Sequence, residues 1–298
     1  MAITYIDLLC GIGGFSVAAN KCGWQGIFAS DIDKECVKVY QHNFGILPMG
    51  DITTIDIDDI PFHDVLFAGL PCQPFSIIGN RRGYNDKRGM LFFDVLRIIK
   101  AKLPRIVVLE NVKQFVTIHN GVMLKAVIQE LTILGYRVDY KILNTLDYGL
   151  PHKRERIFIV AMLEPCGEFC WSTDTIPMKP LSEILEENPD TKHFVSERIR
   201  QKRHDTHTAD FSPAIWHENK SGHISSHAWS CALRAGASYN YLLVDGERRL
   251  TPRELLRLQG FPDSFEIISN DSQVRKQVGN AVSVPVVESV INSIIGCL

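Results

Sequence analysis

The sequence predicts an α/β fold, a sheet of buried strands interleaved with helices, with a second, smaller unit of different character inserted late in the chain. Three observations predict it. Short apolar runs, stopped by Gly, Pro or an acid, recur as far as about residue 163, and stretches of helical spacing separate them. Chemically useful residues gather just past the carboxyl ends of those runs, where open α/β sheets bind ligands. Beyond about Pro165 the alternation fades, and prolines, histidines and basic residues accumulate; six of the ten histidines lie between His193 and His227.

At 298 residues the chain is long enough for a sizeable core, in one large domain or two modest ones. No apolar run approaches the roughly 20 residues that span a bilayer. Met1-Ala2-Ile3-Thr4 has no basic lead and no secretory signal is expected. Eight scattered cysteines without a disulfide framework suggest a reducing cytosol. Cys166, Cys170 and the later histidines match no strong zinc spacing, so no metal is expected. The net charge of −2 does not advertise a nucleic-acid binder, but residues 190–260 hold eleven Lys/Arg against eight Asp/Glu. A basic region therefore sits in a slightly acidic protein.

Thr4–Leu9 reads as a buried parallel strand. Cys10-Gly11-Ile12-Gly13-Gly14-Phe15 follows and leads into a helix toward Lys21. Glycines here permit a tight turn and let backbone amides approach a ligand at a helix start, although such turns are often mere connections. Gly26–Asp31 is a second strand ending in an acid, suited to accept hydrogen bonds from ribose hydroxyls. Alternatively, Asp31 or Asp33 caps the helix Lys34–Asn43. Asp51 is a third such acid, able to accept a bond from an adenine amino group or simply to end a strand.

Asp64–Gly69 reads as the next strand, and Leu70-Pro71-Cys72-Gln73-Pro74 follows it. Each proline fixes its own φ and pushes the preceding residue toward extended conformations. Cys72 is thus expected on a stiffened loop. A lone cysteine is more often a buried structural residue; the order of the residues that follow argues for a nucleophile. Arg81–Gly89 is polar, basic and glycine-flanked, a solvated loop or a lid over phosphates. Met90–Lys102 has helical spacing, and Arg105–Val112 is a strand carrying Glu110 and Asn111 at its end. His119–Leu134 reads as a helix ended by Gly135. Arg137–Asn144 and Arg156–Leu163 read as strands. Arg154 and Arg156, two apart, would share a face of one strand and suit anion or carbonyl recognition. Arg198, Arg200, Lys202 and Arg203 make either a solvated helix face or a phosphate-contacting surface. Thr251-Pro252-Arg253-Glu254 is a helix start, and an apolar helix closes the chain near Ile295.

In this order the motifs resemble those of the prokaryotic DNA (cytosine-5)-methyltransferases of the small restriction–modification type. The motifs are Asp7–Phe15, Pro71-Cys72-Gln73, Glu110-Asn111-Val112, His152–Arg156, Arg253-Glu254 with Gly260-Phe261-Pro262, and Gly279–Val282. The resemblance spans nearly the whole chain except roughly 165–245. It implies a Rossmann-like catalytic domain over 1–175 plus 271–298 that binds S-adenosyl-L-methionine. It implies a target-recognition domain over 176–270, with double-stranded DNA between the two. The family pattern places Cys72, Glu110, Arg156 and Arg154 in catalysis. It places the cofactor against Leu9, Gly11, Ile12, Gly13, Gly14, Asp31, Ile32, Asp51, Ile52, Gly69, Pro71, Leu91, Asn280 and Val282. DNA contacts are expected from Gln73, Ser76, Arg81, Arg82, Arg88, Arg200 and Arg203. A cytoplasmic, nucleoid-associated monomer without a membrane, functionally paired with a restriction endonuclease, is the implied setting. Leu9 stands where the family usually has Phe, and His152 where it usually has Gln. Ala232-Leu233 lies where many members have Thr-Leu.

The chemistry explains the residue types. Carbon 5 of cytosine is a poor nucleophile until a thiolate adds to carbon 6. Glu110 would act at ring nitrogen 3 and Arg156 at the exocyclic oxygen. The target base must leave the duplex stack to be reached. An amino-group methyltransferase would need an Asp/Asn/Ser-Pro-Pro-aromatic tetrad, which Leu70-Pro71-Cys72-Gln73 is not. A tRNA cytosine methyltransferase and a catalytically dead DNA-binding protein are the other readings; the basic insert opposes the first and the intact Cys72, Glu110 and Arg156 the second.

Overall fold

The computed structural model describes residues 2–70, 91–163, 167 and 169–297. The described residues form two compact units. The first comprises residues up to 143, 155–173 and 286 onward; the second comprises 144–154 and 174–285. The segments 144–154 and 271–285 thus group with the second unit by compactness, where the motif order had placed them with the first.

The first unit is a six-stranded sheet in the order β2-β1-β3-β4-β7-β5. Its strands are β1 (Thr4–Leu8), β2 (Gln25–Ser30), β3 (Val65–Gly69), β4 (Ile106–Val112), β5 (Arg137–Asn144) and β7 (Glu155–Met162). The first four in that order run parallel, and β7 lies antiparallel to β4. Strand β1 connects through α1 (Gly14–Lys21) to β2 on one side, while β3 pairs on its other side. That reversal opens a crevice at the carboxyl ends of β1 and β3.

Alternation along the strands builds both faces. Leu66 and Ala68 join Val107, Leu109, Ile157 and Ile159 in one core with α3 (Leu91–Lys102) and α4 (Val122–Ile133). Phe67, pointing the other way, stacks on Phe15 of α1 at 4.9 Å and meets Tyr5 edge-on at 5.6 Å. Helix α4 begins three residues later than its spacing suggests, because Asn120 and Gly121 adopt φ of 57° and 74° and break the helical path.

In the second unit, β11 (Leu242–Val244), β8 (Ile215–Glu218) and β9 (Ile224–His227) make an antiparallel sheet. A parallel pair joins β6 (His152–Lys153) to β10 (Ser230–Cys231). The helices are α5 (Glu197–Thr206), α6 (Pro252–Leu258) and α7 (Asp271–Asn280). Helix α6 starts as its sequence demands: Thr251 and Glu254 form a capping box with Pro at the first turn. Glu254 is fully buried and takes both terminal nitrogens of Arg248, at 2.8 and 2.9 Å. Helix α2 (Lys34–Phe44) belongs to the first unit, and α8 (Val284–Ile295) carries the chain back into it. The stretch 271–295 has the length and hydropathy of a membrane span. It is two helices, parted where Ala281 turns extended (φ −66°, ψ 150°), and much of α8 is buried.

Candidate active site

Strand β1 delivers the glycine turn. Leu9, Gly11 and Gly13 all take positive φ, at 55°, 55° and 84°. Leu9 is the costly one, since a branched side chain rarely sits there. The bond from Cys10 N–H to the Ser30 carbonyl (2.9 Å) helps hold the turn, and the Leu9 side chain packs partly buried against the core. Gly13 cannot be replaced: a Cβ there would fall 2.2 Å from the Phe44 ring. A Cβ on Gly11 would meet nothing within 4 Å, so that side of the turn is open. Gly13 caps α1 without a side-chain bond of its own, and within the first turn the buried Asp7 carboxyl accepts from the Ser16 N–H. Ile12 and Gly14 are buried beneath the turn.

Strand β2 ends at Asp31, whose two carboxylate oxygens accept from Gly11 N–H (2.7 Å) and Asp33 N–H (2.8 Å). Asp33, not Asp31, caps α2, accepting from Glu35 N–H. Burial pushes the Asp31 carboxyl up from its ordinary range, against the backbone donors of Asp33, Gly11 and Ile32 that pull it down. Ile32 beside it is 68% exposed, an apolar side chain held out at the sheet edge. Asp51 is exposed and accepts from Thr53 N–H, whereas Ile52 is buried with its carbonyl taking Arg97 Nη2 at 2.8 Å. Gly69 ends β3, and Leu91 opens α3 partly buried against the core. An acid for a vicinal diol, an exposed apolar side chain, a helix start with no side-chain cap from Gly13 and open space over Gly11 fit an adenosine-type cofactor with an anionic tail.

Glu110 lies at the carboxyl end of β4, 7% exposed. Its carbonyl accepts the N–H of Leu70 at 3.0 Å, so the chain leaves β3 beside it. Arg156 Nε approaches Glu110 Oε1 at 3.1 Å from neighbouring β7. A carboxyl and a guanidinium side by side can hold the polar edge of a heterocycle and answer charge that develops on it. Arg154 does not share a strand face with Arg156. The strand is interrupted at Arg154, and the two residues fall in different units. Arg154 is buried, and its guanidinium donates to the carbonyls of Leu233, Gly279 and Ala281 at 3.4, 3.2 and 2.8 Å. It is a fastener inside the second unit.

Pro71, Cys72, Gln73, Ser76, Arg81, Arg82 and Arg88 lie outside the described residues. Asn280, at the end of α7, and Val282, just past it, belong to the second unit. On α5, Arg200 pairs with Glu197 (2.9 Å) and Glu247 (3.5 Å). Arg203 is only 3% exposed and spends Nη2 on Glu218 and on the Asn240 carbonyl. The expected phosphate-facing role therefore does not fit Arg203, because desolvation and its internal partners hold it inside.

Residue-by-residue reading missed a buried network under the glycine turn. Asp7 is fully buried and accepts from Ser16 Oγ at 2.8 Å, and Ser16 Oγ lies 2.6 Å from Tyr40 Oη. Burial drives the Asp7 carboxyl well above its ordinary range. The signal was available: an acid inside an otherwise apolar strand asks for a partner or a proton.

Comparison with known proteins agrees with this geometry. The family described as C-5 cytosine-specific DNA methylase matches residues 3–296. The chain is 50% identical over 287 residues to the Type II methyltransferase M.NgoBI of Neisseria gonorrhoeae, covering 95% of this chain and 90% of that protein. It is 49% identical over 296 residues to the Type II methyltransferase M.HaeII of Haemophilus aegyptius, covering 98% and 93%. Among solved structures, the S. pombe Dnmt2 methyltransferase shares the fold, with a TM-score of 0.76 at 24% identity over 98% of this chain and 97% of that one. The Entamoeba histolytica methyltransferase EhMeth does so with a TM-score of 0.79 at 19% identity, over 99% and 98%.

Proposed function

Since the chain belongs to the C-5 cytosine-specific DNA methylase family, we propose that it transfers a methyl group to carbon 5 of a cytosine flipped out of a short, specific double-stranded DNA site, through a covalent adduct on Cys72. S-adenosyl-L-methionine supplies an electrophilic methyl group on a sulfonium when it is bound. Asp31 would take its ribose hydroxyls, Ile32 and Leu9 would give apolar cover, and the α1 amides would take its carboxylate.

The chain's own groups carry the rest. The Cys72 thiolate forms a bond to carbon 6, and the ring's electrons shift toward carbon 5. Glu110 donates a proton or hydrogen bond at ring nitrogen 3, and Arg156 holds the exocyclic oxygen as negative charge builds. Carbon 5 takes the methyl group and then loses its proton to a base. The electrons left behind expel the Cys72 thiolate, restoring the ring. Residues reading flanking base pairs belong to the 176–250 region, and the relatives named Type II methyltransferases support protection of DNA from a partner restriction enzyme.

The observation that carries this reading is the Glu110–Arg156 pair, set beside Leu70, two residues before Cys72. Bisulfite sequencing of a plasmid from cells expressing the protein tests it. One sequence context should be methylated throughout, and Cys72→Ala should abolish methylation while leaving sequence-specific binding intact. In vitro transfer to tRNA rather than to duplex DNA, or a Cys72→Ala protein retaining more than a few per cent of the rate, would overturn it.

A further inference from the structure

The second unit holds one loop, Arg234–Tyr241, clamped at both ends. Just before it, Leu233 donates its N–H to His152 Nε2 at 3.2 Å, and its carbonyl accepts from Arg154. Arg154 ties the same point to α7 through the Gly279 carbonyl. Gly279 is required there, because a Cβ would fall 2.4 Å from Ala235 N. At the far end Arg275 Nη1 donates to the carbonyls of Ala237 and Ser238, both at 3.1 Å. The Tyr239 ring has the guanidinium of Arg249 at 4.7 Å and that of Arg275 at 4.6 Å. The Arg234 N–H closes the loop on Tyr241 Oη at 3.1 Å. Ala-Gly-Ala-Ser would otherwise be loose chain; here side chains from several distant parts of the unit hold it.

What the loop displays is the Arg234 side chain. It is exposed, and its guanidinium rests on the Tyr241 ring, 4.9 Å from the centroid. Other arginines of this unit are spent. Arg200, Arg203, Arg248 and Arg257 pair with carboxylates. Arg154, Arg249, Arg253 and Arg275 donate to carbonyls. Among the described residues Arg234 has neither kind of partner; Arg198 shares this, but no ring or clamp orients it. The surroundings are cationic. His217, whose ring lies 6.2 Å from that of Tyr241, and His227 are both pushed below the ordinary imidazole range, first by burial and then by positive neighbours, Arg234 for His217 and Lys153 for His227.

A guanidinium oriented by stacking, with its fork unspent on a rigid loop, matches the O6 and N7 acceptors of guanine. A phosphate contact needs no such preorganisation, since flexible basic side chains make it. We propose that Arg234 is a specificity-determining residue that reads a guanine edge in the major groove of the target duplex. This rests on the reading of the second unit as the DNA-reading part.

The test uses full-length wild type, Arg234→Ala and Arg234→Gln on a duplex library randomised around a central cytosine, read by bisulfite sequencing at two salt concentrations. Wild type should demand guanine at one flanking position on either strand. Arg234→Ala should lose that preference roughly tenfold to a hundredfold while keeping the demands at other positions. Arg234→Gln should move it toward adenine, a change that misfolding cannot mimic. An Arg234→Ala protein weakened equally on every sequence, with a shallower salt dependence, would identify a phosphate contact and overturn the assignment. So would unchanged guanine preference in both variants. A wild type that methylates no sequence in the library overturns the underlying reading and this assignment with it.

Discussion

Arg156 Nε lies 3.1 Å from Glu110 Oε1, a diagonal contact between antiparallel strands in which Glu110 opposes Phe158 and Arg156 opposes Val112. Arg156 also donates from Nη1 to the carbonyl of its neighbour Glu155 at 2.8 Å, so only its Nε side is turned to Glu110. The contact exists because β7 is inserted beside β4 in the sheet.

If the pair acts on the target base, Glu110→Gln and Arg156→Ala should each lower kcat by roughly 10²- to 10⁴-fold with a smaller change in KM. The double variant should lose much less than the product of the two, because the groups act as a unit. Single-turnover methyl transfer on a duplex substrate measures this. Additive losses would mean that the pair is structural.

Asp31→Ala should weaken cofactor binding roughly tenfold to over a hundredfold, the worth of about 1.5–3 kcal/mol in charge-assisted hydrogen bonds. It also frees the Gly11 and Asp33 amides that Asp31 now takes. Asp31→Asn keeps an acceptor for the turn and loses the charge. Calorimetry should show it intermediate, with the fold intact by thermal melting. Unchanged affinity in both variants would leave Asp31 as a turn brace alone.

Removal of the Arg154 guanidinium leaves the carbonyls of Leu233, Gly279 and Ala281 without it. Arg154→Ala should destabilise the protein by at least about 3 kcal/mol, since hydrogen bonds to a charged group are worth about 1.5–3 kcal/mol each. Arg154→Lys should rescue only part, lacking the planar fork. Urea denaturation provides the measurement. A variant of wild-type stability with lost DNA affinity would instead place Arg154 on phosphate.

Asp7 supplies a pH prediction with a definite sign. Its folded carboxyl is raised well above the unfolded one. Between those two values the native state holds a proton that the unfolded chain has released, so stability falls as pH rises through that window and levels off above the folded value. Asp7→Asn removes the titration and should flatten that part of the stability–pH profile in chemical denaturation. An unchanged slope would show that Asp7 is charged in the fold.

The α/β alternation was legible because a buried strand and an amphipathic helix each carry their period in consecutive residues: Ile106–Leu109 could hardly be anything but buried, and Thr251-Pro252-Arg253-Glu254 spelled its own capping box. Motif order likewise singled out Cys72, Glu110, Arg156 and Asp31 as candidates, since each is a chemically useful residue type next to a readable strand. Tertiary structure alone decided what each polar group touches. Spacing placed Arg154 and Arg156 on one face, yet the strand breaks between them, and three distant carbonyls claim Arg154. Composition made Arg203 a surface cation, and Glu218 with the Asn240 carbonyl took it inside. Arg234 was one basic residue among eleven in its region until the structure laid its guanidinium on the Tyr241 ring and gave most of the other arginines carboxylate or carbonyl partners. A charge announces itself in sequence, but its availability depends on which partners the fold brings within about 3 Å, and those partners lie tens of residues away along the chain.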